Sequence, residues 1–208
     1  MKPGILAALV LAVLPAGCES AGAYGPILGE ILTQPGGALT TAEIDAGLRE
    51  ALVVGTTNVA GQLGRENGYF GDPRIRIPLP KTYREVQRNL AVIGARGPLD
   101  DVELRLNRAA EAAVPEARAL ILGAVRNMTI EDALGILRGG DTAATDFLRA
   151  RTETQLTAAF TPHVRTALSQ SGAFRSMENY LSGIGLGGTT SSVQADLTSH
   201  AVSLGLDG

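Results

Sequence analysis

Apolar residues recur at helical spacing along most of this chain, and no other feature constrains its fold as strongly. The first such stripe lies on one face of a predicted helix and contains Ile44, Leu48, Leu52, Val59 and Leu63. Thr40 and Glu43 precede it at the spacing of a capping box, in which each side chain accepts the other residue's backbone N–H. A later stripe consists of Val102, Leu106, Ala109 and Ala113. The pattern predicts an all-α protein, an irregular bundle of several helices joined by short turns.

Composition favours helices over sheets. The apolar fraction is 45%, much of it alanine, while aromatic residues make up 4% and there is no Trp. Thin, Ala-rich stripes suit helices that approach each other closely. Gly47, Ala51 and Gly55 form a row at four-residue spacing, which predicts a close contact with a neighbouring helix. Residues 74–80 alternate in polarity and include two prolines, so we expect an extended segment there, at most an edge strand.

Prolines and capping residues predict where the later helices begin and end. Pro115 is expected to end or kink its helix and Pro162 to start a new one, because proline lacks an N–H and clashes with the preceding turn. Thr129 and Asp141 are the expected N-caps of two further helices. A Gly-, Ser- and Thr-rich break over residues 183–192 precedes a last predicted helix over residues 193–204.

The N-terminus has the layout of a bacterial export signal. Lys2 gives a short positive start, an unbroken apolar run covers residues 5–14, and Pro15 and small residues lead to Cys18. The run is shorter than the roughly 20 apolar residues that span a membrane. We therefore predict a signal peptide over residues 1–17, a Gly- and Pro-rich tether over residues 18–39 and a single helical domain over residues 40–208.

Cys18 is the one cysteine of the chain. Residues 14–18 resemble a lipobox, apart from Pro15 where an aliphatic residue is usual. They predict cleavage before Cys18 and lipid attachment to its sulfur. Alternatively, cleavage after the A-x-A site Ala21-Gly22-Ala23 would remove Cys18 altogether. Lipidation implies a periplasmic protein anchored to the outer membrane.

Asn107, Arg108 and Glu111 form the most suggestive polar cluster, since spacings of three and four residues let them meet on one helix. The structural interpretation is a polar network, possible members of which include Asp132, Asp141 and Thr145. Alternatively, Glu111 could act as the acid or base of an enzyme. We favour the network and assign no catalytic residue, because spacing ties no second acid or nucleophile to Glu111.

Other classes of ligand find little support in the sequence. His163 and His200 are far apart, so no metal site is expected, and no cofactor is predicted. A net charge of −3 without a basic patch makes nucleic acid an unexpected partner. Arg74 and Arg76 could bind an acidic partner or a lipid headgroup, although exposed arginines are usually just solvated.

Four motifs in order resemble an exported bacterial family known as domain of unknown function 4197. They are Ile77-Pro78-Leu79-Pro80, Leu106-Asn107-Arg108-Ala109-Ala110-Glu111, Met128-Thr129-Ile130-Glu131-Asp132-Ala133 and Leu137-Arg138-Gly139-Gly140-Asp141-Thr142-Ala143-Ala144-Thr145. The resemblance implies a mostly helical fold, an envelope location and no assigned activity or catalytic residues. Members usually continue past the position of Leu206-Asp207-Gly208 into another apolar and acidic helix, which leaves open whether the core is complete at that end.

Three functions remain in view from the sequence. The first is an interaction or assembly module held at the envelope membrane by Cys18, with an unknown envelope protein as partner. The second is a carrier that encloses an apolar small molecule or lipid between Ala- and Gly-lined helices. The third and least favoured is an enzyme that uses Glu111.

Overall fold

The described chain contains seven helices, five of which pack on the longest one, Gly97–Arg126, while the short helix Ile130–Arg138 packs on two of its neighbours. The structure is a computed structural model that describes residues 39–92, 97–183, 185 and 190–208. No strand occurs in these residues, so the expectation of an all-α fold is confirmed. The helices are α1 Thr41–Leu63, α2 Lys81–Val92, α3 Gly97–Arg126, α4 Ile130–Arg138, α5 Ala143–Ser169, α6 Gly172–Gly183 and α7 Thr190–Asp207. The predicted signal peptide, Cys18 and all of the predicted tether except Leu39 lie outside the described residues.

Helix α3 supplies the centre of the core. Its predicted inward stripe is confirmed, because Val102, Leu106, Ala109 and Ala113 are all buried. Phe160, Val164 and Leu168 of α5 and Val193, Leu197 and Ala201 of α7 belong to the same cluster. Residues 40–208 thereby form one compact unit. None of the helices in the described ranges is long and apolar enough to cross a membrane.

Capping boxes fix the starts of α1 and α4. Thr40 Oγ1 accepts the Glu43 N–H at 3.2 Å, and Glu43 Oε2 accepts the Thr40 N–H at 2.8 Å. Thr129 caps α4 in the same way, so both predicted caps are confirmed. The expectation for Asp141 is wrong, because the N-cap of α5 is Thr142. The Ala143 N–H bonds back to the Gly140 carbonyl at 3.0 Å, and this turn delays the start of the helix past Asp141.

Of the end or kink expected at Pro115, the end does not occur, and the new helix expected to start at Pro162 does not start there. Helix α3 runs through Pro115, and α5 runs through Pro162. A proline in a helix interior costs about 3 kcal/mol, but buried side chains lie on both sides of each one. Phe160 and Val164 flank Pro162, and burying each such side chain contributes about 1.5–3 kcal/mol. Packing against the core therefore keeps each helix continuous.

Helix α1 lies on the outside of the bundle. It has 23 residues and none of them is buried. A Cβ added at Gly47 or Gly55 would meet no atom within 4 Å, so the predicted close helix contact there is wrong. Instead, α1 is held near its end by Ala60 and Leu63, which pack against the core, and near its start by Arg49.

Arg49 joins α1 to the C-terminal end of α3. Its guanidinium donates to the carbonyls of Val125 at 2.8 Å and Arg126 at 3.1 Å, and also to the carbonyl of Met128. Asp45, one turn earlier, pairs with Arg49 Nε at 2.8 Å. A cation at this end of α3 also interacts favourably with the helix dipole. Arg49 thus satisfies carbonyls that the last turn of a helix leaves unpaired.

The segment between α1 and α2 covers one face of α3. Residues 64–75 form consecutive turns, and residues 76–80 are extended without belonging to a sheet. Gly68 is required in this turn, because a Cβ there would lie 2.3 Å from the Leu63 carbonyl oxygen. Ile77 and Leu79 of the extended part are completely buried.

Candidate functional site

Asn107 binds the extended segment to α3. Its Oδ1 accepts the Ile77 N–H at 2.9 Å, and its Nδ2 donates to the Ile77 carbonyl and the Glu103 carbonyl, both at 2.8 Å. Asn107 is completely buried, and these three bonds use both N–H groups and the oxygen of its amide. The Asn107 amide therefore pairs with both the N–H and the carbonyl of Ile77, as the backbone of a neighbouring β-strand would.

Glu111 holds the preceding turn, one helical turn further along α3. Its Oε1 accepts the backbone N–H groups of Tyr69 at 3.1 Å and Phe70 at 3.2 Å. Its Oε2 forms a salt bridge with Arg108 Nη1 at 2.6 Å. The Arg108 side chain continues to Asn67 Oδ1 at 2.9 Å. Glu111 is 5% exposed and both of its oxygens have partners, so the geometry gives an acid–base role no support.

The six candidate network residues do not form one network. Asn107, Arg108 and Glu111 lie together, whereas Asp132 belongs to the capping box of α4 and contacts Arg151 at 3.3 Å. The Thr129 backbone N–H is the main cause of the lowered pKa of Asp132. Asp141 is exposed, and Thr145 lines a groove described below.

Three further side chains hold the same segment in place, in roles that the sequence pattern did not predict. Arg76 Nε pairs with Glu103 at 2.8 Å, and its guanidinium lies 4.0 Å from the centre of the Phe70 ring. His200 Nε2 donates to the Pro78 carbonyl at 2.8 Å, since a carbonyl can only accept. The pKa of Tyr69 is raised to about 12 by burial, and its hydroxyl donates to the Gly205 carbonyl at 2.9 Å. The segment is thus bound from both α3 and α7.

Arg74 makes only a local contact and is exposed. Its salt bridge to Asp72 measures 2.6 Å. The side chain and the backbone N–H of Arg74 both donate hydrogen bonds to the Asp72 carboxylate, and these bonds lower the pKa of Asp72 to about 2. His163 contacts Glu116 at 3.2 Å, far from any second histidine in the sequence. Among the described residues no group of His, Cys, Asp and Glu could hold a metal ion.

A groove of about 460 Å³ lies between α1 and α5. Both helices pack on α3, but they make almost no direct contact with each other. The floor is therefore formed by α3, the walls by the two helices, and a further part of the lining by Tyr69 and the C-terminal residues 205–208. Apolar lining residues include Leu52, Val59, Val114, Ile121, Leu148 and Leu156.

The α1 wall of the groove is free of charge from residue 51 to residue 63. Val59 lines the groove and is 51% exposed. Contiguous exposed apolar patches, rather than single exposed side chains, are characteristic of a surface that another molecule covers. The signal is present in the sequence as a 13-residue stretch without charge. Helical periodicity alone did not identify it, because an inward stripe and an outward apolar surface share the same spacing.

Four charged side chains line the groove as well. Arg149 pairs with Asp207 at 3.0 Å. Arg118, in the middle of the α3 floor, donates one hydrogen bond of 3.4 Å to the Thr57 hydroxyl. No carboxylate in the described part of the chain forms a salt bridge with Arg118. Glu153 is exposed on the α5 wall.

Comparison with known proteins gives a family but no activity. A family model matches residues 38–208. The chain belongs to the family described as "Protein of unknown function (DUF4197)". The match covers all four motifs on which the resemblance was based, so that expectation is confirmed. No curated protein and no solved structure was found to match the chain.

Proposed function

We propose that this DUF4197 protein is an exported, lipid-anchored interaction module of the bacterial envelope. The apolar run and Cys18 at the N-terminus support export and anchoring. The groove between α1 and α5 is the binding surface. A partner protein that occupies it would be held at the membrane through Cys18.

The unburied apolar surface of α1 is the observation that carries this proposal. Helices in globular proteins gain most of their stability by burying an apolar face. Helix α1 is 23 residues long, and no residue of its apolar stripe is fully buried: Ile44, Leu48, Leu52 and Leu63 are half-buried, and Val59 is 51% exposed. The bundle covers this stripe only in part, and a partner in the groove would cover more of it.

Site-specific photo-crosslinking in intact cells tests the binding surface. A photoreactive amino acid replaces Val59 in the groove, or Val92, which is 87% exposed outside it. We expect a discrete crosslinked protein from position 59 that is missing from position 92. Equal products from both positions, or none from position 59, would refute the proposed surface.

Lipid labelling tests the anchor separately. The wild-type protein should incorporate a labelled fatty acid and fractionate with the outer membrane, whereas Cys18→Ser should do neither. A wild-type protein that carries no label, or that is processed after Ala23, would show that the anchor is wrong.

The size of the groove favours a second candidate function, the binding of an apolar small molecule. Its volume of about 460 Å³ falls within the roughly 300–1,000 Å³ typical of small-molecule sites. Purification of the protein from envelopes without detergent, followed by mass spectrometry of extracted lipids, distinguishes the candidates. A stoichiometric lipid that Val59→Trp removes would support a carrier, whereas the partner protein predicts none.

A further inference from the structure

We propose that the outward face of α2 rests on an anionic membrane surface, with Lys81, Arg84 and Arg88 turned toward the lipid headgroups. This inference goes beyond the proposed function, because it needs neither the groove nor a lipid on Cys18. It follows from where α2 places its cations, from the absence of partners for them in the described part of the chain, and from the apolar residues beside them.

The outward face of α2 lies opposite the side that packs on the core. Tyr83 and Val86 are buried and fix which side of the helix is inward. Lys81, Arg84 and Arg88 follow one another at spacings of three and four residues, which brings them together on the other side of the helix. Lys81 and Arg88 are exposed, and Arg84 is half-buried. The same spacing explains why the sequence shows no run of basic residues.

The three cations of this face are not paired with carboxylates. Within the described part of the chain, none of them forms a salt bridge or a side-chain hydrogen bond. Arg74 and Arg76, which the sequence suggested for a headgroup, are instead paired with Asp72 and Glu103. Glu85 is the one acidic residue of α2. The helix is therefore net positive in a chain of net charge −3, and this asymmetry turns α2 toward a negative surface.

Exposed apolar side chains at the end of the same face favour a membrane over a free anion. Val92 is 87% exposed and lies on the side of α2 that carries Lys81 and Arg88, and Ala91 beside it is exposed as well. Cations at headgroup level with apolar side chains next to them are typical of segments that bind the surface of a bilayer. A free phosphate would neutralise the cations but leave Val92 in water.

The small area of this face favours a membrane over an acidic protein. Helix α2 has 12 residues and packs on α3 at the edge of the bundle. At 1.5 Å per residue and a diameter of about 10 Å, its outward half covers only about 300 Å². A stable protein interface buries about 800 Å² on each side. Attraction to an anionic membrane acts over a Debye length and does not require such an area.

A fluorescent probe on α2 tests the contact locally. Cys18 is the one cysteine of the chain, so Val92→Cys in the Cys18→Ser protein gives a single site for an environment-sensitive dye. Leu137→Cys in the same background is the matched control, because Leu137 is an apolar residue of α4 and 58% exposed. The labelled proteins are titrated with vesicles of phosphatidylglycerol, which is anionic, or of phosphatidylcholine, which is neutral.

The emission of the dye reports whether its position meets the lipid. We expect a blue shift from position 92 with phosphatidylglycerol only, and none from position 137 with either lipid. The shift should disappear when the salt concentration is raised from 0.1 M to 1 M, because the Debye length falls from about 10 Å to about 3 Å.

Two triple variants distinguish the face of α2 from the overall charge. The first replaces the three α2 cations with Gln, which is also a good helix former. The second replaces Arg138, Arg165 and Arg175 with Gln, which removes the same charge from exposed positions on three different helices. The lipid concentration that gives half the shift at position 92 should rise at least tenfold in the first and stay within about twofold in the second. Circular dichroism establishes that both variants are folded.

Four results would overturn the inference. These are no shift from position 92, equal shifts with both lipids, a shift that high salt leaves unchanged, or an equal loss of binding in the two triple variants. A discrete protein photo-crosslinked from position 92 in intact cells, and lost in the α2 variant, would assign the face to an acidic protein instead. The groove is tested separately by crosslinking from position 59, so failure of this inference is distinguishable from failure of the proposed function.

Discussion

Asn107→Asp tests whether the polar residues of α3 serve to hold the segment between α1 and α2. The substitution preserves the size and shape of the side chain and replaces Nδ2 with an oxygen. Oδ1 still accepts the Ile77 N–H, but the Ile77 and Glu103 carbonyls lose their donor. The new oxygen also carries negative charge at a completely buried position, about 2.8 Å from both carbonyl oxygens.

The expected cost is large compared with the stability of a domain. Each buried carbonyl left without a partner costs about 1–3 kcal/mol, so two such carbonyls cost about 2–6 kcal/mol. Repulsion between the charge and the carbonyl dipoles adds to this cost. We expect a loss of about 4 kcal/mol or more near pH 7, against a total free energy of unfolding of about 5–15 kcal/mol for typical domains.

The loss should shrink as the pH falls. Burial and the neighbouring carbonyls raise the pKa of the introduced carboxyl above its unfolded value of about 3.9. Below that unfolded value the carboxyl is protonated in both states, and its O–H can donate to one of the two carbonyls. As the pH rises through the raised folded-state pKa, this stabilisation is lost. The difference in stability between variant and wild type is therefore smallest in acid.

Urea unfolding followed by far-UV circular dichroism measures this difference near pH 7 and near pH 4. Asn127→Asp is the matched control, because Asn127 is exposed in the turn after α3, and a change within about 0.5 kcal/mol is expected there. A loss below about 1 kcal/mol for Asn107→Asp, or an equal loss at both pH values, would refute the account of Asn107.

Three further predictions concern the same scaffold. Glu111→Gln should lower the free energy of unfolding by about 2–3 kcal/mol, because Arg108 loses its salt bridge to the buried Glu111 and keeps only the one to the exposed Glu66. An unchanged urea midpoint would contradict this. Because the pKa of Tyr69 is raised to about 12, the wild-type protein should lose up to about 3 kcal/mol as the pH rises from about 10 to 12. In Tyr69→Phe, the free energy of unfolding measured by urea titration should not show this fall. An equal fall in the variant and the wild type would contradict the prediction. Arg49→Met should speed amide hydrogen exchange in α1 at least tenfold, because α3 carbonyls lose their hydrogen-bond donor. The expected loss of local stability is about 2 kcal/mol in all. Unaltered exchange would show that other contacts hold α1.

Local rules predicted the parts of the fold that depend on neighbouring residues. The capping residues Thr40 and Thr129 act within three positions along the chain, so their spacing was sufficient. The inward stripe of α3 followed from helical periodicity in the same way. Helix α6 was missed, no helix ends at Pro115, and the new helix expected at Pro162 was wrong, because packing against distant residues outweighs a local preference there.

The candidate site could be predicted only in part for the same reason. The spacing of Asn107, Arg108 and Glu111 placed them on one face, and the structural interpretation of that cluster agrees with the geometry. Their partners lie roughly 30–40 positions earlier in the sequence, at Ile77 and Tyr69, and no periodicity identifies such a pair. The groove is a gap between helices that are distant in sequence. Its existence depends on how α1 and α5 sit on α3, which only the three-dimensional arrangement shows.

Hydrogen–deuterium exchange tests the central claim, that the groove is covered in the protein's native setting, most directly. Exchange is compared between the protein purified alone and the protein retained in isolated native envelopes. We predict that residues 51–63 exchange more slowly in envelopes, while residues 102–114 of the buried α3 stripe exchange equally in both samples. The same exchange rate for residues 51–63 in both preparations would mean that nothing binds in the groove.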